Sequence, residues 1–253
     1  MSEHLYTQYQ SLAGKTVLIT GGASGIGADL VAAFSQQHSR VHFLDINTVA
    51  GEALSAVHGA VFHYCDLRDI PALRTVIGDI AAREGGIDVL INNAADDDRH
   101  DMFAVEPEYW RNRMAVNLDH QFFATQAVAI PMRERQSGAI ILTSSTSVMK
   151  GRPGMVGYTT AKAAILGLNR TLTRELGPFG IRVNCIVPGA ISTPRQQALW
   201  RTPLVQQEIM DMQAIKIDLQ GSDIAAMALF VASDDARGCT GAQFVVDAGI
   251  RLN

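Results

Sequence analysis

The sequence predicts a single α/β domain, residues 1–253, built on a doubly wound parallel sheet with helices on both faces. Short apolar runs alternate with helical patterns along the chain, an order typical of parallel sheets covered on both sides. A length of 253 residues suits one such domain. About seven strands are predicted, at residues 15–20, 40–44, 61–65, 88–91, 139–143, 182–187 and 243–246.

The first predicted strand ends in a glycine-rich turn, residues 21–27 (GGASGIG), which is followed by a helical pattern over residues 28–37. Strand, glycine turn and helix in this order are typical of Rossmann-type domains that bind dinucleotides. The glycines let the backbone approach a pyrophosphate, and the helix N-terminus offers free N–H groups to it. We therefore predict a dinucleotide at this turn.

The second predicted strand is followed by Asp45, whose charge predicts the identity of the dinucleotide. An acid at this point suits the ribose 2′-hydroxyl of NAD and repels the 2′-phosphate of NADP. No Arg or Lys stands at residues 23, 24, 46 or 47 to receive that phosphate. We therefore predict NAD as the cofactor. The alternative is that Asp45 only caps a helix or terminates a strand.

Tyr158 and Lys162 are four residues apart in a predicted helix, so their side chains share a face. A tyrosine with a pKa of about 10 is a poor base at neutral pH, but a neighbouring cation lowers that pKa. The pair is thus a candidate for acid–base catalysis. The same spacing also occurs on solvated helix faces, and its significance depends on the other motifs.

Taken together, the motifs resemble the short-chain dehydrogenase/reductase family. The matching segments are residues 20–27 (TGGASGIG), 92–94 (NNA), Asn117, Ser145, 158–162 (YTTAK) and 188–193 (PGAIST). The resemblance implies a catalytic tetrad of Asn117, Ser145, Tyr158 and Lys162. It also implies the cofactor-binding residues, which are Gly21, Ser24, Gly25, Ile26, Gly27, Asp45, Ile46, Asp66, Leu67, Asn93, Ala94, Tyr158, Lys162, Pro188, Gly189, Ile191 and Thr193.

The resemblance also implies individual roles within the site. Ser145 would hold the substrate oxygen, with Ser144 and Ser147 as rivals by residue type. Asn117 would lie at a local distortion of a long helix, residues 108–136, and hold a water that relays protons to Lys162. Asp66 would contact the adenine amino group or, alternatively, cap the next helix. Ala95 replaces a glycine common in the family, which makes the backbone conformation there uncertain.

A narrower resemblance concerns the substrate. The chain resembles bacterial NAD-dependent sugar 1-dehydrogenases of the D-xylose dehydrogenase type in residues 97–100 (DDRH), 195–196 (RQ), 200–203 (WRTP), 240–241 (TG) and 247–249 (DAG). This implies oxidation of the anomeric carbon of an aldose (a pentose, 6-deoxyhexose or hexose) to a lactone. The implied substrate-binding residues are Asp97, Ser145, Ser147, Tyr158, Arg195 and Trp200.

These substrate assignments have structural alternatives. Residues 190–216 form the least regular stretch and are predicted to be a mobile lid, the alternative being an inert surface excursion. Residues 97–100 could instead be a solvated loop with local ion pairs. Trp200 could simply anchor the lid to the core.

Composition excludes several classes of protein. A net charge of −4 gives no electrostatic footprint for nucleic acid or an anionic membrane, and no apolar run approaches the length of a membrane helix. Three cysteines without a C-x-x-C motif favour a reduced, cytoplasmic setting, with Cys65 and Cys185 as small buried residues, and we predict no metal site. A homo-oligomer, a tetramer by family analogy, is expected.

Two other functions compete with the sugar dehydrogenase. One is a reductase of the same family that acts on a ketone, a steroid or an acyl thioester. The other is a cofactor-binding sensor or scaffold without catalysis. Asp45 argues against the NADPH-dependent biosynthetic members of the family, and the intact set of Asn117, Ser145, Tyr158 and Lys162 argues against a sensor.

Overall fold

The computed structural model describes residues 4–250, so residues 1–3 and 251–253 of the predicted domain lie outside the described residues. The strands are β1 Thr16–Thr20, β2 Arg40–Asp45, β3 Val61–Tyr64, β4 Val89–Asn92, β5 Gly138–Thr143, β6 Ile181–Pro188 and β7 Gln243–Val246. They form one parallel sheet in the order β3-β2-β1-β4-β5-β6-β7. The predicted doubly wound sheet is confirmed, and each strand lies within one or two residues of its predicted position.

Helices connect the strands and cover both faces of the sheet. They are α1 Ile26–Gln36, α2 Thr48–His58, α3 Ile70–Glu84, α4 Pro107–Met114, α5 His120–Arg135, α6 Ser147–Lys150, α7 Val156–Leu176, α8 Pro194–Leu199, α9 Pro203–Met212 and α10 Gly221–Ala232. Helices α1, α2 and α10 pack on one face, and α3, α5 and α7 pack on the other. Among residues 4–250, no helix combines the length and the apolar character needed to cross a membrane.

Strand β1 shows why strands of this sheet appear in the sequence as continuous apolar runs. Its side chains alternate between the two faces, and every residue of the strand is buried. Val17 and Ile19 join the core cluster under α1 and α10, whereas Leu18 joins the cluster under α3, α5 and α7. Burying an aliphatic side chain of this size contributes about 1.5–3 kcal/mol. The burial of this strand on both faces therefore joins the two helical layers into one domain.

The order of the strands places a binding site at their carboxyl ends. Strand β1 lies between β2 and β4, so the chain winds away from it in opposite directions. In doubly wound sheets the crevice at such a switch point is where ligands bind. The loops after β1, β2, β4, β5 and β6 all begin at this edge of the sheet.

The prediction that residues 190–216 are irregular is wrong, because most of the segment is helical. Helix α8 is capped by Thr193, whose hydroxyl accepts from the Gln196 N–H at 3.2 Å. Helix α9 is capped in the same way by Thr202, with proline at the first helical position. A threonine cap followed by proline is a start signal for a helix, and the sequence carries it twice.

The structure also tests the predictions made for the two buried cysteines and for Ala95. Cys65 and Cys185 are buried and free, as predicted. Among residues 4–250, positive φ outside glycine occurs only at His38, Gln136 and Ala248. Ala95 therefore has an ordinary backbone conformation, and the loss of a glycine at that position causes no strain there.

Candidate active site

A cavity of about 720 Å³ opens at the carboxyl ends of the strands around β1 and β4. Its volume is within the usual range for small-molecule sites. Every residue predicted to bind cofactor or substrate lines this cavity, as do Ser145, Tyr158 and Lys162 of the predicted tetrad. Asn117 does not line it.

The glycine turn after β1 forms one wall of the cavity. Gly21 has a φ of +66°, and a Cβ there would come within 2.7 Å of the Ala94 Cα. A Cβ on Gly27 would collide with the Gly21 carbonyl oxygen. Asn93 holds the turn in place by donating from Nδ2 to the carbonyl oxygens of Thr20 and Gly21, at 3.2 and 3.1 Å. The turn leaves the N-terminus of α1 open to the cavity, which fits the phosphates of a dinucleotide.

Asp45 lies at the end of β2 and faces the same cavity. Its carboxylate accepts from the N–H groups of Ala23 and Asn47, both at 3.0 Å. Helix α2 is capped by Asn47, whose side chain accepts from the Ala50 N–H at 3.1 Å, so Asp45 is not a helix cap. Two backbone donors therefore fix its carboxylate at the edge of the cavity.

Asp66 lines the cavity just after β3 and pairs with Arg68 at 2.6 Å. The hydrogen bonds from Arg68 hold the pKa of the Asp66 carboxyl below its usual range. The cap of α3 is Asp69, which accepts from the Ala72 N–H at 3.0 Å, so the alternative role of Asp66 as a cap is wrong. Asp66 thus presents an ionised hydrogen-bond acceptor at this end of the cavity.

Ser145, Tyr158 and Lys162 line the cavity together, where the end of β5 lies beside α7. The Lys162 ammonium lies 5.6 Å from the centroid of the Tyr158 ring. Its Nζ also donates to the Thr143 carbonyl oxygen at 2.8 Å, and its side chain is 1% exposed. A hydrogen bond joins the Tyr158 hydroxyl to Ser145. The arrangement places a phenol, a hydroxyl and a buried cation within reach of one bound molecule.

Burial shifts the pKa values of Tyr158 and Lys162 away from those that would favour the phenolate and the ammonium. It raises the pKa of Tyr158 to about 12, and the hydrogen bond from Ser145 offsets only part of that rise. It lowers the pKa of Lys162 to about 8. The expectation of a lowered Tyr158 pKa is therefore wrong for the net shift, because loss of hydration outweighs the hydrogen bond from Ser145 and the charge of Asp97 adds to the rise.

The two rival serines have different surroundings. The Ser144 hydroxyl donates to the backbone oxygen of Lys162 at 2.7 Å, so it ties β5 to α7 and is not free to hold a substrate. The Ser147 N–H donates to the Ser145 hydroxyl at 3.1 Å and orients it. The Ser147 hydroxyl itself is buried and has no partner among residues 4–250. Ser147 therefore supports Ser145 and offers a hydroxyl to a ligand.

Asn117 lies in a π-helical turn, Ala115–Asp119, between α4 and α5, which confirms the predicted local distortion of this helix. Its side chain accepts from the Asp96 N–H at 2.9 Å and donates to the carbonyl oxygens of Asp96 and Arg113 at 3.1 and 3.0 Å. It is fully buried behind the loop that follows β4. Asn117 thus anchors that loop, and its predicted role in a proton relay stays a prediction.

Asp96 is a site residue that the sequence analysis missed. One of its carboxylate oxygens pairs with Arg113 at 2.8 Å, and the other pairs with Arg195 of α8 at 2.8 Å. Because Asn117 holds its backbone, Asp96 is an anchored bridge between the buried Arg113 and the segment 190–216. The available signal was its position, directly after the predicted cofactor motif at residues 92–94.

The segment 190–216 is joined to the loop after β4 by three further contacts. Arg195 pairs with Asp97 at 3.2 Å, and Gln196 donates to the same carboxylate. The Arg99 guanidinium lies 3.9 Å from the centre of the Trp200 ring. The anchoring alternative for Trp200 is thus supported, since one face of its ring is taken. Asp97 and Arg99 therefore tie the loop after β4 to the segment 190–216, several of whose residues line the cavity, and the role of this segment as a mobile lid stays a prediction.

Replacing Asp96 with asparagine should lower the stability of the protein. The change removes the nearest carboxylate of the buried Arg113, and we expect the free energy of unfolding to fall by about 1–3 kcal/mol. Chemical denaturation measures the effect. The matched control is Asp98→Asn, since Asp98 lies 3.9 Å from Arg113 and is more exposed. An equal fall in the free energy of unfolding in both variants would contradict the idea that Asp96 is the stabilising partner of Arg113.

Comparison with known proteins identifies the family. A family model described as enoyl-(acyl carrier protein) reductase matches residues 21–251. The chain belongs to the short-chain dehydrogenase/reductase family, as its motifs predicted. It is accordingly an oxidoreductase with a nicotinamide cofactor.

Several relatives align over nearly the whole chain. D-xylose 1-dehydrogenase of Caulobacter vibrioides is 46% identical over 248 residues, covering 96% of this chain and 98% of the relative. A probable galactose dehydrogenase of Rhizobium meliloti is 40% identical over 250 residues, covering 96% and 98%. A 3-alpha-(or 20-beta)-hydroxysteroid dehydrogenase of Mycobacterium tuberculosis is 36% identical over 241 residues, covering 94% and 90%.

A solved structure has the same fold. A crystal structure described as ribose-5-phosphate isomerase from Brucella melitensis 16M superposes with a TM-score of 0.87 at 28% identity. The superposition covers 97% of this chain and 94% of that one.

Proposed function

We propose that this protein is an NAD-dependent aldose 1-dehydrogenase, which oxidises the anomeric carbon of a cyclic pentose, 6-deoxyhexose or hexose to a lactone. The observation that carries the proposal is the polar lining of the cavity beside Tyr158. Asp97, Ser147 and Arg195 line it there, which suits a polyhydroxylated substrate better than a steroid or an acyl chain. The identity of 46% with a D-xylose 1-dehydrogenase supports the same class of substrate.

The residues of the site divide the chemistry between them. Tyr158 would accept the proton of the C1 hydroxyl, and Ser145 would hold the same oxygen by a hydrogen bond. Lys162 would stabilise the phenolate that develops on Tyr158. A bound nicotinamide dinucleotide supplies the acceptor for the hydride from C1. Because both proton and hydride have an acceptor, the reaction needs no metal ion.

The alternative is a family member that acts on a ketone, a steroid or an acyl thioester. The hydroxysteroid dehydrogenase relative, at 36% identity, is the specific observation in its favour. An apolar ligand of that kind would leave charged groups such as Asp97 and Arg195 facing apolar surface, which costs free energy. This cost in free energy favours a sugar over a steroid or an acyl chain as the substrate.

Product analysis tests the proposal. A panel of aldoses is incubated with NAD, reduction of NAD is followed by absorbance, and the products are identified by NMR. We expect a lactone or its aldonic acid. A ketose or a dicarbonyl would show oxidation at another carbon, and no turnover of any aldose would favour the alternative substrates.

Asp45 should control the choice of cofactor. We expect the unmodified protein to prefer NAD to NADP by about 100-fold or more in kcat/KM, since a carboxylate facing a phosphate costs several kcal/mol. Asp45→Ser should reduce the preference to within about tenfold. The control Glu52→Gln removes the same charge outside the cavity and should change nothing. Equal use of both cofactors by the unmodified protein would contradict the role of Asp45.

The rate of oxidation should depend steeply on pH. Burial raises the pKa of Tyr158 to about 12, so the phenolate fraction grows as the pH rises. We expect kcat/KM for oxidation to increase from pH about 6 by up to tenfold per unit. Burial also lowers the pKa of Lys162 to about 8, so the rise should flatten above that pH as the cation is lost. A flat profile with chemistry rate-limiting would contradict a titrating tyrosine.

A further inference from the structure

Three basic side chains line the cavity on the substrate side, and we call Arg99, Lys150 and Arg152 the basic cluster. Arg99 comes from the loop after β4, while Lys150 ends α6 and Arg152 follows it. The chain as a whole is acidic, with a net charge of −4, so this local excess of positive charge does not reflect its composition.

The basic cluster has no carboxylate partner within ion-pair distance among residues 4–250. Arg99 lies over the ring of Trp200 at 3.9 Å, and its buried Nε finds no hydrogen-bond acceptor in that part of the chain. Asp247 lies near enough to offset part of the charge of Lys150. Arg99 as a whole is only partly buried, and Lys150 and Arg152 are exposed, so their remaining N–H groups are open to an anion bound in the cavity.

The acids nearby do not neutralise the cluster because other arginines already pair with them. Asp96 is shared between Arg113 and Arg195, and Asp97 pairs with Arg195. Arg201, another cation that lines the cavity, pairs with Asp218. The positive charge of the basic cluster therefore remains in excess on this side of the cavity.

The members of the basic cluster are close enough to repel one another. Burial and the charge of Arg152 lower the pKa of the Arg99 guanidinium, and the same two causes lower the pKa of the Lys150 ammonium; Asp97 and Asp247 offset only part of these two shifts. Like charges held together at the wall of a cavity repel one another on their own and are favourable around a bound anion. This repulsion independently supports the geometric argument.

We propose that the basic cluster binds an anionic group carried by the substrate, so that the natural substrate is an aldose bearing a carboxylate or a phosphate remote from C1. This inference rests on the proposed function and narrows its substrate class. Arginine and lysine are the side chains suited to both groups, arginine through paired N–H donors and lysine as a point charge. The anionic group is unchanged in the reaction: C1 loses its hydride to the cofactor and the proton of its hydroxyl to Tyr158.

Matched sugars test the proposal. The kcat/KM values of D-galactose, D-galacturonate and D-galactose 6-phosphate are compared, and likewise those of D-glucose, D-glucuronate and D-glucose 6-phosphate. We expect an anionic member to exceed its neutral counterpart by about tenfold or more at low ionic strength, with an advantage that shrinks as salt is added. Comparing the uronates with the sugar phosphates shows whether the basic cluster prefers a carboxylate or a phosphate.

Variants assign the effect to the basic cluster. Lys150→Gln and Arg152→Gln should each lower the ratio of anionic to neutral kcat/KM by about tenfold. The control is Lys216→Gln, which removes the same charge from the segment 190–216 outside the cavity and should leave the ratio unchanged. A ratio that is insensitive to both cluster variants would overturn the proposal.

A binding measurement separates this inference from the proposed function. Calorimetry compares galacturonate and galactose 6-phosphate with galactose on the NADH-loaded protein and on the cluster variants. If neutral aldoses are oxidised and their anionic counterparts are no better, the basic cluster proposal is wrong while the proposed function stands. If no aldose is oxidised but an anionic sugar binds and the variants lose it, the proposed function is wrong while the anion site stands. No variant-sensitive binding and no anionic preference would overturn the inference.

Discussion

Tyr158→Phe is expected to lower kcat by about 10²- to 10⁴-fold, because it removes the hydroxyl that accepts the substrate proton. The hydroxyl is the group that forms the hydrogen bond with Ser145 in the cavity. Phenylalanine keeps the ring, so the packing of α7 and the contact between the ring and Lys162 should survive. Steady-state kinetics measures the loss, and fluorescence titration with NADH should show affinity within about threefold of the unmodified protein.

The matched control for this variant is Tyr64→Phe, since Tyr64 is 62% exposed and lies outside the cavity. It should retain full activity. The residual activity of Tyr158→Phe should also lose the rise with pH that the tyrosine causes. Near-normal turnover in Tyr158→Phe would show that another group moves the proton, and the mechanism would be wrong.

Lys162→Met is expected to lower kcat by about 100-fold or more while leaving the melting temperature unchanged or higher. Burial lowers the pKa of Lys162 to about 8 from 10.5, so at neutral pH the folded protein holds the ammonium at a cost in free energy. Methionine fills similar space without a charge. The Thr143 carbonyl oxygen keeps a second donor, Gln121 Nε2 at 3.3 Å, so it is not left unsatisfied. Thermal unfolding and kinetics on the same samples test both parts.

The sign of the stability effect follows from the lowered pKa. The unfolded chain binds the Lys162 proton up to about pH 10.5 and the folded chain only up to about pH 8, so this group destabilises the fold most at low and neutral pH. The stability of Lys162→Met relative to the unmodified protein should therefore be greatest below pH 8. A control, Lys15→Met, lies outside the cavity and should leave turnover unchanged. A clear drop in melting temperature together with retained activity would contradict a catalytic role.

Several parts of the site could be predicted because their causes are local in sequence. Gly21 and Gly27 are required by backbone contacts within the turn itself and against Ala94, so the pattern of glycines alone marks the position. Tyr158 and Lys162 share a face because helix geometry sets the direction of side chains four residues apart. The central strands β1, β4 and β5 could be found because both of their faces are covered, which makes these buried runs almost continuously apolar.

The segment 190–216 shows where local signals were present but insufficient. Helices α8 and α9 have 6 and 10 residues, lengths at which an isolated helix is marginal in water. Their caps and prolines were visible in the sequence, but their stability depends on contacts with distant residues. The ion pair of Arg195 with Asp96 joins positions 99 residues apart.

The sequence by itself determined the sheet, the glycine turn, the residues around Tyr158 and the family, since each depends on short-range geometry or on a motif of fixed spacing. Only the tertiary structure decided which charges are paired. Asp96 joins Arg113 and Arg195, whereas Arg99, Lys150 and Arg152 have no carboxylate within ion-pair distance in the part of the chain described. It also decided the direction of the Tyr158 pKa shift. Ion pairing and desolvation depend on distances in space between residues far apart in the chain, and no local pattern encodes them.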